Sequence, residues 1–154
     1  MFKVGDYLMY KTDGVCKVNQ ITFMNGSAKE KKKLYYVLSP VKDEGLKIYS
    51  AVDNTLVPRR PVLTKEEASS MIDEISQIPD LFVESEKLRE DVYKRSLKSG
   101  DCKEWLRITK TIYVRKKKRL AEGKKSTSVD EYYMKAAEGL LLEELSVALG
   151  ISES

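Results

Sequence analysis

The pattern of apolar residues changes from strand-like to helix-like at one point in the chain, between Pro58 and Pro61. Before this point, short apolar runs alternate with turn dipeptides that contain glycine, which is typical of short strands joined by tight turns. After it, apolar residues recur every three or four positions, which is the spacing of amphipathic helices. The change of pattern therefore predicts an α+β, multidomain protein with its domains at residues 1–60 and 61–154.

The first domain contains about five short strand-like runs, a number that predicts a small curved sheet or barrel. The last run, LKIYSAV, alternates so that Tyr49 points outward and Ser50 inward. We interpret this run as a sheet edge that can accept an extra strand from a partner protein. The alternative interpretation is that Tyr35, Tyr36 and Tyr49 only fill or cover the barrel.

Four amphipathic helices are expected in the second domain, because capping and stop signals separate four apolar patterns. The signals are, in chain order, the Thr64–Glu67 capping box, Pro79, Gly100, the Asp101–Glu104 pair, Gly123 and the Ser128–Glu131 pair. In the second helix, the spacing predicts that Leu88, Val92 and Leu97 face the core. The second domain is therefore expected to be a bundle of about four helices.

The residue types exclude several kinds of catalytic site. Histidine is absent, which removes Ser-His and Cys-His nucleophile pairs and His-ligated zinc. Cys16 and Cys102 lie far apart and are interpreted as reduced, buried thiols. The sequence shows no Gly-rich phosphate loop and no metal-ligand cluster. We expect a protein that is not an enzyme, with no catalytic residue, no metal and no cofactor.

The location of the protein is also constrained by its apolar runs. None of them approaches the length needed to span a membrane, and the N-terminal segment lacks the apolar region of a signal peptide. We therefore expect a cytoplasmic protein that does not bind a membrane.

Charge is segregated along the chain, although the net charge is only +4. Residues 87–125 carry 15 cations and 5 anions, whereas residues 61–86 carry 1 cation and 7 anions, and residues 126–154 carry 1 cation and 6 anions. A basic segment between acidic flanks is expected where a protein contacts a polyanion. Some soluble helical proteins show such a segment without that contact, so a solvated basic face is the alternative.

One stretch inside this basic segment, KEWLRITKTIYVRKKKR at positions 103–119, holds the single tryptophan and five consecutive cations. On a helix, Trp105 falls on the same face as Ile108 and Ile112, so we expect it in the core. Most cations fall on the opposite face, where they can neutralise phosphates. The predicted DNA contacts are Lys103, Arg107, Lys110, Lys117 and Lys118, with Lys94, Arg95 and Lys98 as additions from the preceding helix.

The order of several short motifs resembles the CarD/CdnL family of bacterial transcription regulators, which bind RNA polymerase. The motifs are FKVGDYLMYKTDGVCKV, LYYVLSP, LKIYSAV and SLKSGD, followed by a long helical tail. The resemblance implies a Tudor- or SH3-like β-barrel module, shared with the transcription-repair coupling factor, that binds the polymerase β subunit. It also implies that the helices bind double-stranded promoter DNA. Met24 and Tyr49 stand near the places where the family has basic polymerase contacts, and we expect these two residues and Ser50 to bind the polymerase.

The chain departs from this family at the tryptophan that wedges into the minor groove. The corresponding place, about fifteen positions before the Ser-Gly-Asp turn, falls near Glu86. A carboxylate is repelled by phosphates and cannot stack on a base step. Phe82 is the nearest upstream aromatic residue, and whether it replaces the wedge stays open.

This departure leaves two functions to compare. The first is a transcription regulator that binds the polymerase β subunit through the β module and promoter DNA phosphates through the basic helical face. The alternative is a divergent paralogue that uses the β module for another protein partner and has no DNA wedge. We expect a monomer, and a domain-swapped dimer stays open.

Overall fold

A computed structural model describes residues 1–11, 13–24, 33–54 and 56–151 of the chain. The chain divides into two compact units, Met1–Val62 and Leu63–Ser154. The first unit holds an antiparallel sheet and the second holds helices, which confirms the α+β class. None of the helices in the described ranges is long and apolar enough to cross a membrane.

Five strands form a single sheet in the described part of the first unit. They are β1 (Tyr7–Tyr10), β2 (Val15–Met24), β3 (Lys33–Pro40), β4 (Ile48–Ala51) and β5 (Arg59–Pro61). Their spatial order is β4-β3-β2-β1-β5, so β4 and β5 are the two edges. The turn expected at Asn25-Gly26 lies outside the described residues.

One face of the sheet carries the core of the first unit, because alternate side chains of each strand point to the same side. The buried cluster consists of Leu8, Tyr10, Cys16, Val18, Tyr36 and Leu38. Tyr36 also has a polar role at this core: its hydroxyl accepts a hydrogen bond from the Phe2 backbone N–H at 3.0 Å. The Cys16 side chain is buried, as expected.

The ladder of the described strands is an open sheet, so the expected barrel is not closed by backbone pairing. One side chain joins the two edges instead. Arg59 on β5 donates hydrogen bonds to the carbonyl oxygens of Ala51 at 2.7 Å and Val52 at 3.0 Å, at the end of β4. Its guanidinium carbon also lies 5.2 Å from the centre of the Tyr36 ring. Arg59 therefore links the two edge strands by side-chain hydrogen bonds.

The second unit contains four α-helices and two short 3-10 turns in its described part. The helices are α1 (Lys65–Asp73), α2 (Arg89–Lys98), α3 (Cys102–Ala121) and α4 (Ser128–Leu149), and the turns are Ile75–Gln77 and Glu86–Leu88. The expected capping box of Thr64 and Glu67 is present. The expected cap at Ser128 is wrong by one residue, because the Thr127 side chain accepts the Asp130 N–H.

The core of the helical unit lies mainly between α3 and α4. Trp105, Ile108 and Ile112 of α3 are buried, as are Ala137, Leu140 and Leu141 of α4. The prediction for α2 is wrong in part: Val92 and Leu97 are half-buried beside the buried Tyr93 and Ser96, whereas Leu88 is 43% exposed. Leu88 belongs to the 3-10 turn before α2, where the spacing of an α-helix does not apply.

Candidate partner and nucleic-acid interfaces

Strand β4 presents backbone hydrogen-bonding groups at an edge of the sheet. The Val52 N–H donates to the Leu34 carbonyl on the β3 side at 3.0 Å. Backbone groups of successive residues in an antiparallel strand point alternately toward and away from the neighbouring strand. The N–H and C=O of Tyr49 and Ala51 therefore point away from β3. The Ala51 carbonyl is bound by Arg59, and the Tyr49 groups face the outside.

Two of the three predicted polymerase-binding residues share one face of the sheet. Tyr49 pairs with Val37 and Met24 pairs with Lys33, and these two partners lie four residues apart on β3, so their side chains point to the same face. Both side chains project from the face opposite the core, where Tyr49 is 50% exposed and Met24 is 36% exposed. The third residue, Ser50, is not exposed on this face.

Ser50 is buried, and its hydroxyl accepts a hydrogen bond from Arg59 at 2.9 Å. Its backbone groups also point into the sheet by the same alternation. The side chain of Ser50 therefore stabilises the sheet and is not part of the exposed surface. The physical reason is that serine in this strand serves as an acceptor for the arginine that joins the two edges.

Six of the eight cations predicted to bind DNA are exposed. They are Lys94, Arg95 and Lys98 on α2 and Lys103, Lys117 and Lys118 on α3. On α3, Lys117 and Lys118 lie in the run of basic residues near the end of the helix. These side chains can reach a polyanion without loss of an internal contact.

The other two predicted cations, Arg107 and Lys110, make internal contacts. The Lys110 ammonium donates to the carbonyls of Ile78 at 2.6 Å, Ile75 at 3.1 Å and Ser76 at 3.4 Å. These carbonyls belong to the 3-10 turn after α1 and the residue that ends it. Lys110 thus satisfies backbone acceptors that would otherwise need water.

Arg107 anchors the residues that follow this turn. It donates to the carbonyls of Pro79 at 3.0 Å and Asp80 at 3.3 Å, and to the Glu104 carboxylate at 2.8 Å. Because its donors are engaged in this way, Arg107 stabilises the packing of the chain on α3. Both cations therefore make hydrogen bonds within the helical unit, and their assignment to DNA stays a prediction.

Phe82 follows directly after the anchored segment. The preceding Leu81 N–H donates to the Thr111 hydroxyl on α3 at 2.9 Å. Phe82 itself is 81% exposed. An aromatic side chain is thus held at the surface by a fixed backbone, although its use as a wedge stays open.

Trp105 is fully buried, which confirms its placement in the core. Its indole N–H donates to the Leu97 carbonyl at 3.0 Å, so its polar atom is satisfied inside the unit. A side chain in this environment cannot stack on a base step without unfolding its surroundings.

Sequence inspection missed a closed ring of polar contacts that connects three helices. Its five members are Glu86, Arg89, Tyr93, Asp130 and Arg115. Arg89 binds the Glu86 carboxylate at 2.8 Å and the Tyr93 hydroxyl at 3.1 Å, and Tyr93 donates to Asp130 at 3.0 Å. Arg115 closes the ring, at 2.9 Å from Asp130 and 3.1 Å from Glu86.

The electrostatics of this ring keep Glu86 ionised. The hydrogen bond from Arg89 is the main cause that lowers the pKa of Glu86 to about 2, and Arg115 adds to it. Burial is the main cause that raises the pKa of Tyr93 above its ordinary value. Of the contacts in this ring, the sequence indicates only the Glu86–Arg89 ion pair, because residues three positions apart are neighbours on a helix.

Comparison with known proteins identifies the domain type of the first unit. Residues 2–60 match the family model of the CarD-like/TRCF RID domain. The match includes β1 to β4 and reaches the second residue of β5. A comparison with curated proteins found no match to the chain.

The matched domain type indicates a transcription-related protein that interacts with RNA polymerase. The match ends before the helical unit, which contains the ring of polar contacts and the exposed cations. The resemblance drawn from the sequence motifs is thereby confirmed for the first unit, whose residues 2–60 form a domain of the CarD-like/TRCF RID type.

Proposed function

We propose that this protein is a non-enzymatic, cytoplasmic transcription regulator that binds the RNA polymerase β subunit and promoter DNA. The observation that carries the proposal is the β4 edge, where the Tyr49 backbone faces outward in a domain of the CarD-like type. No cofactor or metal is needed, because binding energy alone performs the function.

The polymerase half of the function is strand addition to β4. A partner strand that pairs with the outward groups of Tyr49 gains affinity from main-chain hydrogen bonds. Tyr49 and Met24 lie on one exposed face, where they provide the side-chain contacts that select the partner. The monomer is sufficient for this mode of binding.

The DNA half of the function is phosphate binding by the exposed cations of α2 and α3. Contacts with phosphates position a protein on a duplex and carry little sequence information. A regulator that binds the open promoter complex more tightly than the closed complex shifts the equilibrium between them toward the open complex. It therefore acts without any chemical step.

The alternative function is a divergent paralogue that uses the β module for another protein partner. One observation favours it: Glu86, near the family's wedge position, is an exposed carboxylate. A negative side chain there opposes close approach of the phosphate backbone. The following two experiments test the two halves of the proposal separately.

The substitution Tyr49→Pro in the full chain is expected to abolish capture of the polymerase β lobe, with at least a tenfold loss of affinity. Proline removes the outward N–H that a partner strand would use, and edge strands tolerate proline where this group faces solvent. The measurement is capture of purified β lobe by the variant and the wild type at equal concentration.

The matched control for this experiment is Tyr49→Thr, which removes the aromatic ring and keeps the backbone N–H. We expect it to retain a larger share of the affinity than the proline variant. Wild-type protein that fails to capture the lobe would support the alternative partner. Equal capture by wild type and proline variant would exclude strand addition at β4.

The double substitution Lys117→Gln/Lys118→Gln is expected to weaken binding to duplex DNA and to flatten its salt dependence. Each lost phosphate contact lowers the slope of log Kobs against log salt by about 0.9, so the pair lowers it by about 1.8. Fluorescence anisotropy with a labelled duplex at several salt concentrations measures this slope.

The matched control is Lys42→Gln/Lys47→Gln, which removes two exposed cations from the other unit. We expect its slope to equal that of the wild type. A similar loss in both double variants would show that net charge, and not the α3 surface, determines DNA binding.

A further inference from the structure

Two arginines from different helices converge on one exposed carboxylate. Arg89 at the start of α2 donates to Glu86 through Nε and Nη2, and Arg115 of α3 donates to it through Nη1 at 3.1 Å. The Glu86 side chain is 70% exposed, whereas those of Arg89 and Arg115 are 17% and 16% exposed. We call the two arginines the arginine clamp.

The arginine clamp is held from the inside by groups that do not involve Glu86. Arg89 Nη1 donates to the Tyr93 hydroxyl at 3.1 Å, and Arg115 Nε lies 2.9 Å from the Asp130 carboxylate. Tyr93 and Asp130 are both fully buried. The guanidinium positions are therefore fixed by buried groups of the helical unit, and other donors of the same two side chains contact the exposed Glu86.

We propose that the arginine clamp is a binding site for a backbone phosphate of duplex DNA, for which the Glu86 carboxylate competes. Arginine presents a planar fork of donors that binds phosphate oxygens and carboxylate oxygens in the same way. A backbone phosphodiester presents the same pair of anionic oxygens as the carboxylate, and it arrives as part of a polyanion. The site deepens the proposed DNA binding and rests on it.

Displacement of Glu86 has a small energetic cost. Ion pairs whose carboxylate is this exposed contribute roughly 0–1 kcal/mol in water. Competition nevertheless persists at neutral pH, because a glutamate carboxyl is ionised there and the Arg89 hydrogen bond lowers its pKa further. The carboxylate stays beside the two arginines and offsets one of their charges at all physiological pH values, so the wild type gains little from the phosphate contact.

The experiment compares Glu86→Gln with wild type in salt-titrated binding of full-length protein to a labelled DNA duplex. The substitution removes the competing charge and leaves both arginines in place. We expect the slope of log Kobs against log salt to steepen by about 0.9, which corresponds to one added phosphate contact. Over a fourfold change in salt this is about a threefold additional change in affinity.

Two control variants separate the arginine clamp from a general charge effect. Glu122→Gln removes one anion near the end of α3, where Glu122 lies 3.7 Å from the exposed Lys124. We expect it to leave the slope unchanged. In an Arg89→Gln background, Glu86→Gln is expected to give no gain, because one half of the clamp is missing. Circular dichroism confirms that each variant is folded.

The outcomes of this experiment distinguish failure of the arginine clamp from failure of the proposed DNA binding. A steeper slope for Glu86→Gln that disappears in the Arg89→Gln background supports the clamp. DNA binding by wild type with equal slopes for Glu86→Gln and Glu122→Gln overturns the clamp and leaves the proposed function standing. Failure of wild type and Glu86→Gln to bind duplex DNA at low salt overturns both.

Discussion

Replacement of Asp130 by alanine is expected to lower the free energy of unfolding of the helical unit by about 3–5 kcal/mol. Asp130 is fully buried, with Arg115 Nε at 2.9 Å and the Tyr93 hydroxyl at 3.0 Å. Removal of the carboxylate leaves the nearly buried Arg115 guanidinium with only the exposed Glu86 as a counter-charge, and the buried Tyr93 hydroxyl without its acceptor. An uncompensated buried charge costs more than the intact pair contributes.

Denaturant unfolding followed by circular dichroism measures this loss. The matched control is Glu138→Ala, further along the same helix, whose side chain is exposed. We expect the control to change the free energy of unfolding by no more than about 0.5 kcal/mol. Equal effects of the two substitutions would mean that the ring does not stabilise the fold.

The fold could be predicted from the sequence because its signals are local. The turn residues, the alternation in β4 and the capping box at Thr64 each depend on a few neighbouring positions. The same holds for Trp105, whose helical face alone placed it in the core. Features of this kind need no knowledge of which elements meet in space.

The candidate sites were only partly predictable, because they depend on contacts between distant residues. Arg59 has the same appearance in the sequence as an exposed cation, yet it binds carbonyls at the end of β4. Arg107 was assigned to DNA from its helical face, and its partners are carbonyls 27 and 28 positions away. Asp130 lies 37 positions from Tyr93, so nothing in a local pattern joins them.

The contrast between Trp105 and Phe82 leads to the second large effect. Trp105→Ala is expected to lower the free energy of unfolding by about 3–5 kcal/mol, since it leaves a cavity in the core and an unsatisfied Leu97 carbonyl. Phe82→Ala is expected to change it by no more than about 0.5 kcal/mol, because that ring is 81% exposed. Denaturant unfolding followed by circular dichroism measures both.

The same two positions distinguish a core aromatic residue from one that touches DNA. Trp105→Phe keeps most of the buried volume and loses the indole hydrogen bond, so we expect a folded protein with wild-type DNA affinity and salt slope. If Trp105→Phe instead weakens DNA binding while the protein stays folded, the tryptophan acts at the interface and its buried position is not the state that binds. Weaker DNA binding in Phe82→Ala alone would identify the exposed ring as the aromatic contact, presented by the backbone that Arg107, Lys110 and Thr111 hold on α3.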